Sequence, residues 1–413
     1  MRPPAGQFVC DLGTRGRYHG DMTDSFDVVI AGGGLVGMCA AAALEGSGLR
    51  VLQIEAQAPP QLVAAWDERH FALGRASVER LRGIGVWSDA IASAPIREVH
   101  VSRAGAFGRV LMRAADQGLT AFGCTVPARL LVAALEQSVQ RDGLLRWRPA
   151  RLLGWQGAAE GLALRVAVDG TERDVQTRLL VAADGSDSAI RASAAIPTQA
   201  YGYGQTALVC AAEVQHEHGG RAFERLTDDG PIAVLPLEGR RCGIVCTLDD
   251  GAAGAALACS DADYIELLQA RFGHRLGRIL RVGRRQPWPL RLLTAERLHD
   301  DRVVLIGNAA QTIHPIGAQG FNLGLRDAVA LAEVLRDHAD DVGAPDVLRR
   351  YAASRTADRE QTIMMSHQLL RLSSAPGLPL TILRGLAMAM IDRVVPLRSA
   401  LARSSMGYRS RSA

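Results

Sequence analysis

The run Gly32-Gly33-Gly34-Leu35-Val36-Gly37 constrains this chain more than any other stretch. It reads G-x-G-x-x-G, with Gly32, Gly34 and Gly37 in the glycine slots. Before it, Phe26-Asp27-Val28-Val29-Ile30-Ala31 is mostly apolar and β-branched, the mark of a buried parallel strand. After it, residues 38–44 are Ala-rich and helix-forming. A second strand at 49–54 closes on Glu55. Gly32 permits a tight turn, Gly34 lets backbone approach a pyrophosphate, and Gly37 lets the helix pack close to the strand. The helix N-terminus then offers free N–H groups and the positive end of its dipole to phosphates. Glu55 falls about 20 residues beyond the loop, where a carboxylate takes both hydroxyls of an adenosine ribose and disfavours a 2′-phosphate. This is an α/β dinucleotide-binding pattern, and it leaves NAD and FAD both open.

Two later segments narrow the choice. Residues 178–183 form another apolar strand, which runs into Asp184-Gly185-Ser186-Asp187-Ser188-Ala189-Ile190-Arg191. An acid and a glycine at a strand end, before a helix start, make a second polar lip over the same cradle. Further on, a strand at 302–306 enters Gly307-Asn308-Ala309-Ala310-Gln311-Thr312-Ile313-His314-Pro315-Ile316-Gly317-Ala318-Gln319-Gly320-Phe321-Asn322. Its glycines and Pro315 hold a loop whose backbone can press on a flat ligand. A helix over about 320–338 points its N-terminus at that ligand.

In this order, the motifs resemble those of the flavoprotein aromatic hydroxylases, single-component monooxygenases of the para-hydroxybenzoate hydroxylase type. Residues 307–327, Gly220-Arg221-Ala222-Phe223-Glu224-Arg225-Leu226-Thr227 and Val99-His100-Val101-Ser102 are similar to the ubiquinone-biosynthesis branch, most of all to the 2-polyprenyl-6-methoxyphenol hydroxylases. The resemblance spans about residues 25–410. It implies an FAD-binding Rossmann-like domain of the glutathione-reductase type, NADPH or NADH as electron donor, and O2 as co-substrate. The implied reaction hydroxylates the ring of a polyprenylated phenol. Carried over by position, Gly32, Gly33, Gly34, Val36 and Gly37 would hold the FAD pyrophosphate and Glu55 the ribose. Arg69 would lie near the flavin, and Arg129 would reach the ribityl or phosphate region. Asp184 and Gly185 belong to the motif linked to both FAD and the nicotinamide donor. Asn308, Pro315, Gly317, Gln319, Gly320 and Asn322 would meet the ribityl chain and the isoalloxazine edge. The phenol needs an acceptor for its proton, and no residue is assigned to that role. Two alternatives stay open: a sibling hydroxylase acting at another position or on another aromatic compound, and a catalytically silent flavin-bound organiser of other ubiquinone enzymes.

The chain departs from the family pattern twice. Asn308 stands where most of the superfamily has Asp; the polyprenyl-methoxyphenol hydroxylases share the Asn, and an amide still bonds a ribityl hydroxyl. Gly317-Ala318 reverses the usual Ala-Gly order, which places a methyl group in the flavin loop.

Composition excludes other classes. Hydrophobic residues make up 48% and charged residues 22%, ordinary for a soluble globular chain. A formal charge of +4 argues against nucleic acid, although every one of the 47 basic residues is Arg. The seven Cys are scattered without a Cys-x-x-Cys pair, so neither a disulfide framework nor a zinc site is expected, and a reducing compartment fits. His216 and His218 read as loop residues and His314 as a loop anchor, so no metal is expected. No segment reads as a signal peptide, and residues 1–24 read as a disordered extension. The expected location is the bacterial cytoplasm, with peripheral contact on the inner membrane.

The fold expected is α/β with a discontinuous FAD-binding domain over 25–95, 123–200 and 293–365. An antiparallel sheet over 96–122 and 201–292 would roof the flavin and leave the substrate pocket between them. A helical tail over 366–413 mixes Leu, Ile, Met and Ala with arginines. It either packs on the substrate domain or touches an anionic membrane surface where a polyprenyl substrate resides. Other ubiquinone-biosynthesis proteins are possible partners.

Overall fold

The structure is a computed structural model that describes residues 24–58, 69–140, 144–374 and 378–407. The expectation of a disordered extension falls, but for Asp24, outside the described residues.

The strand Asp24–Ala31 forms the middle of an eight-stranded sheet. It pairs in parallel with Thr171–Ala182 on one side and Val51–Ile54 on the other. Val303–Leu305 and Leu144–Trp147 continue the parallel run outward. Val28, Val29, Ile30, Leu179, Leu180 and Val181 are fully buried, which is why these strands read as unbroken apolar runs. The helix Leu35–Ala43 buries Gly37 through Ala43, and its small side chains let it pack tightly against the strands and the helix Gln319–Arg336. The strand Thr171–Ala182 begins earlier than its apolar run, because its polar first half pairs with the hairpin of Ala150–Ala158 and Gly161–Val168.

A nine-stranded sheet faces the flavin loop. Its backbone is Gln286–Ala295, Thr198–Val214, Arg241–Asp249, Ile232–Pro236 and Arg221–Leu226, each antiparallel to the next. One pair departs from the antiparallel expectation: Arg221–Leu226 runs parallel to Glu98–Arg103, since these strands come from distant parts of the chain and need no hairpin. Strand alternation sorts the side chains. Phe223, Ile232, Val234, Ile244 and Cys246 pack with Tyr264, Leu268 and Phe272 of the helix Asp261–Phe272. The intervening Ala222, Glu224, Ala233, Leu235, Val245 and Thr247 line a cavity on the other side.

The C-terminal helices pack on the outer strand of this sheet. Ala402 and Met406 bury against Val110, Met112 and Phe122. The Leu111 N–H donates to Asp392 Oδ1 at 2.7 Å, and Gln117 Nε2 donates to Ser399 Oγ at 2.8 Å. Leu386, Met390, Val395 and Leu397 remain exposed on these helices. Among the described residues, no helix is long and apolar enough to cross a membrane.

Candidate active site

The first glycine loop is shaped from inside the protein at two positions and left open at a third. A Cβ on Gly32 would lie 2.3 Å from the Ala183 carbonyl oxygen, and one on Gly37 would lie 2.1 Å from that of Gly32. Gly34 has no atom within 4 Å of where its Cβ would be. It also caps the helix Leu35–Ala43 without a side-chain hydrogen bond, so the first-turn N–H groups remain for a ligand. The Gly33 N–H donates to Glu55 Oε2 at 2.5 Å, and the Gln57 N–H donates to Glu55 Oε1 at 2.6 Å. Each carboxylate oxygen keeps a second lone pair for a hydroxyl. Val36 is wedged between two distant glycines: a Cβ on Gly307 would approach it to 2.9 Å, and one on Gly324 to 2.6 Å.

The second motif is stitched to the third. Asp184 Oδ2 accepts from the Ile190 N–H at 3.3 Å and so braces the short helix Ala189–Ser193. Gly185 takes φ 90°, a conformation that suits glycine. Thr312 Oγ1 donates to Ser186 Oγ at 2.8 Å. The buried Arg191 donates to the carbonyls of Ala309 at 2.8 Å and Ser186 at 3.0 Å.

In the third motif, Asn308 is exposed, and its side-chain amide has no hydrogen-bond partner among the described residues. Gly317 and Ala318 are both left-handed, with φ 70° and 54°. The helix Gln319–Arg336 starts without a side-chain cap, and Gly320 in its first turn has no atom within 4 Å of a Cβ position. Gln319 is buried; its Nε2 donates to the Gly317 carbonyl at 3.2 Å, while its Oε1 has no partner. Asn322 is spent within the protein: Oδ1 accepts from the Gly74 N–H at 3.2 Å, and Nδ2 donates to the carbonyls of Ala72 at 3.0 Å and Ala318 at 2.6 Å. It locks the loop to the strand His70–Gly74 rather than pointing a free amide outward. Arg69 is exposed, its guanidinium 4.6 Å from the ring centroid of Phe71 and 4.5 Å from that of Trp288. Arg129 is exposed in the first turn of the helix Ala128–Ser138.

His314 anchors the loop, as expected. Its Nδ1 accepts from the Ile316 N–H at 3.1 Å, which leaves its ring proton on Nε2. That Nε2 is buried without a partner. Burial pushes the pKa down to about 4, so the ring is neutral at neutral pH. His218 bonds the Leu237 carbonyl at 2.8 Å and the Gly220 N–H at 3.0 Å, a loop role. Among the described residues no cluster of three or more metal-ligating side chains occurs.

Sequence reasoning missed the group that holds the loop from behind. Asp327 Oδ2 accepts from Gln311 Nε2 at 2.6 Å and from the Gly307 N–H at 3.2 Å. Arg355 donates to Asp327 Oδ1 at 2.8 Å and to Asp358 Oδ2 at 2.7 Å. Arg359 reaches Gln311 Oε1 at 2.8 Å. No local pattern marks Asp327, Arg355 and Asp358 as partners, because their contacts arise only where the helices Gln319–Arg336 and Pro345–Ser374 pack together.

Between this loop and the nine-stranded sheet lies a cavity of about 160 Å³. Gly74, Pro315, Gly317 and Gln319 line one wall, and Ala222, Ala233, Leu235 and Val245 the opposite one. The expected pocket between sheet and flavin loop is therefore present. The second residue missed is Glu224, in the apolar wall. It was visible as an acid in phase with Ala222 on an alternating strand, but its facing depends on which side the sheet turns inward.

The FAD binding domain family matches residues 25–366. The chain is 35% identical over 388 residues to ubiquinone hydroxylase UbiL of Rhodospirillum rubrum, covering 92% of this chain and 89% of that one. It is 30% identical over 342 residues to 3-demethoxyubiquinol 3-hydroxylase of Escherichia coli, covering 80% and 86%. In fold it matches p-nitrophenol 4-monooxygenase PnpA of Pseudomonas putida with a TM-score of 0.77 at 15% identity, over 94% of this chain and all of that one. The chain belongs to the FAD binding domain family and, within it, to the ubiquinone-biosynthesis branch of the flavoprotein aromatic hydroxylases, FAD-dependent monooxygenases driven by NAD(P)H and O2.

Proposed function

We propose that this protein hydroxylates the aromatic ring of a polyprenylated phenol, 2-polyprenyl-6-methoxyphenol, in ubiquinone biosynthesis. The observation that carries this reading is the apolar cavity between the flavin loop and the sheet. A phenol ring placed there would be shielded from water, which the oxygen transfer requires. The choice of ring position rests on the similarity of residues 220–227, of Asn308 and of Gln311-Thr312. The relative named 3-demethoxyubiquinol 3-hydroxylase supports a second reading, hydroxylation at another ring position.

Particular residues fit FAD. Gly34 leaves space where a pyrophosphate would approach the helix N-terminus, beside Gly32, Gly33 and Gly37. Val36 would shape the loop through its contacts with Gly307 and Gly324. Glu55 has spare acceptor capacity for the ribose. Asp184, Gly185 and Asn308 would flank the ribityl chain, and Arg129 the phosphates. The unpartnered donor His314 Nε2 and acceptor Gln319 Oε1 suit a ring that carries both kinds of group. Pro315, Gly317, Gly320 and the aromatic-stacked Arg69 would border that ring, with Asn322 holding the loop in place. Bound there, FAD supplies the redox chemistry and the activated oxygen. The 25–95, 123–200 and 293–365 segments would form the flavin domain. The exposed Leu386, Met390, Val395 and Leu397 would rest on a membrane surface, where a long prenyl chain resides.

Mass spectrometry of quinone precursors in the organism lacking this gene, grown with oxygen, tests the substrate. Accumulated polyprenyl-methoxyphenol with loss of ubiquinone is expected. Accumulated polyprenylphenol would move the enzyme to another ring position, and normal ubiquinone to another pathway.

A further inference from the structure

Glu224 lines the substrate cavity with its carboxyl free of any hydrogen bond or ion pair among the described residues. Arginines flank it in sequence, yet strand alternation turns them to the opposite face. Arg221 pairs with Glu98 at 2.6 Å, and Arg225 donates to the Arg271 carbonyl at 2.9 Å. Across the sheet its partners are Val101 and Ala233. Glu224 is half-buried, and with no partner among the described residues its carboxyl oxygens face the cavity from an otherwise apolar wall, free to meet a polar group of whatever fills it.

We propose that Glu224 is the catalytic base of the hydroxylation, taking the proton of the phenol as the ring is attacked. This rests on the reading that the substrate is a phenol. Among the residues lining the cavity, the titratable side chains are Glu224 and His314. His314 cannot serve as acceptor, because Nδ1 is occupied by a backbone N–H and Nε2 carries the ring proton. Glu224 alone can. Burial pushes its pKa up to about 7, where a base is matched to neutral pH. In the step, the phenol O–H bond breaks and a carboxyl O–H bond forms. The electron pair stays on the phenol oxygen and enriches the ortho and para carbons. One of these attacks the electrophilic oxygen atom derived from O2 and the reduced flavin, and the other oxygen atom leaves as water. The ring carbon then loses its hydrogen as a proton, and the phenol oxygen regains one from Glu224, which resets the carboxylate.

The test uses the full-length, FAD-loaded protein with NADPH, O2 and a farnesylated methoxyphenol. In Glu224→Gln, hydroxylated product should fall about 10²-fold at pH 7, the usual contribution of a positioned base. Flavin content and NADPH-driven flavin reduction should hold, with H2O2 formed in place of product. The variant's product rate should recover as pH rises toward the phenol's own pKa of about 10, and Glu224→Asp should restore part of the neutral activity. Wild-type turnover with a Gln variant of equal rate and pH profile overturns the proposal alone. A wild type whose flavin is reduced but which never hydroxylates the phenol overturns the phenol reading, and the proposal with it. Should the Gln variant lose its flavin, the pH profile of wild-type product formation decides. A rate that rises with pH through about 7 supports the assignment, and a rate that rises only toward about pH 10 refutes it.

Discussion

Arg355 Nε meets Asp327 Oδ1 at 2.8 Å with both side chains almost wholly buried, at 6% and 2% exposure. The pair lies behind the flavin loop, and through Gln311 and the Gly307 N–H the same carboxylate fixes where that loop begins. Removing one partner of a buried pair strands the other charge. Arg355→Leu should cost about 3–5 kcal/mol of stability. Thermal unfolding of the flavin-free protein checks it, and a variant as stable as wild type would show the pair to be solvated.

The glycines of the first loop predict opposite failures. Gly37→Ala puts a methyl group against the Gly32 carbonyl, so it should lower the melting temperature of the flavin-free protein. A Cβ at Gly34 meets no protein atom within 4 Å and Gly34 has an ordinary φ of −68°, so Gly34→Val should stay folded yet emerge colourless. Far-ultraviolet circular dichroism and the flavin absorbance of the purified variants separate the two cases. Stoichiometric flavin in Gly34→Val would remove the loop from the cofactor site.

Ala318 bears a left-handed conformation that its side chain resists. Ala318→Gly should stabilise the protein by about 0.5–1 kcal/mol, the strain relieved less the freedom a glycine adds to the unfolded chain. Urea unfolding measures it.

Stability should respond to pH through two opposed groups. Glu224 is shifted up from 4.5 to about 7, so the folded state holds its proton more tightly. Its contribution is fully present below pH 4.5 and lost as pH rises to about 7, by up to about 3 kcal/mol. His100 and His314 are both shifted down from 6.5 to about 4 by burial, and their contribution is lost as pH falls through that window. The effects partly cancel in the wild-type flavin-free protein. In Glu224→Gln the contribution that opposes the histidines is gone, so stability should fall more steeply on acidification. Parallel curves for the two proteins would mean that the Glu224 carboxyl is open to solvent.

The parallel strands, the helix Asp261–Phe272 and the strands Glu98–Arg103 and Ile232–Pro236 were legible because each follows a local period of apolar residues. The glycine loops were legible because backbone close approach admits few other residues. What stayed hidden depends on tertiary contact. Asn322 reads as a ligand residue, and only the fold shows its amide occupied by Ala72, Gly74 and Ala318. Asp327 and Arg355 carry no local signal of their pairing, which arises only where two helices pack their polar sides together. The parallel pairing of Arg221–Leu226 with Glu98–Arg103 joins segments that no local pattern links.

Val36, pressed between Gly307 and Gly324, sets an order of events during synthesis. The glycine loop leaves the ribosome early, but the backbone that seats Val36 emerges only with the final portion of the chain. The central strand likewise waits for Thr171–Ala182 before it has a neighbour on that side. A chain that ends before Thr171 therefore carries the central strand with one edge unpaired, the condition under which truncated chains aggregate. A frameshift before Gly307 likewise removes the seat of Val36 as surely as a mutation within the first motif.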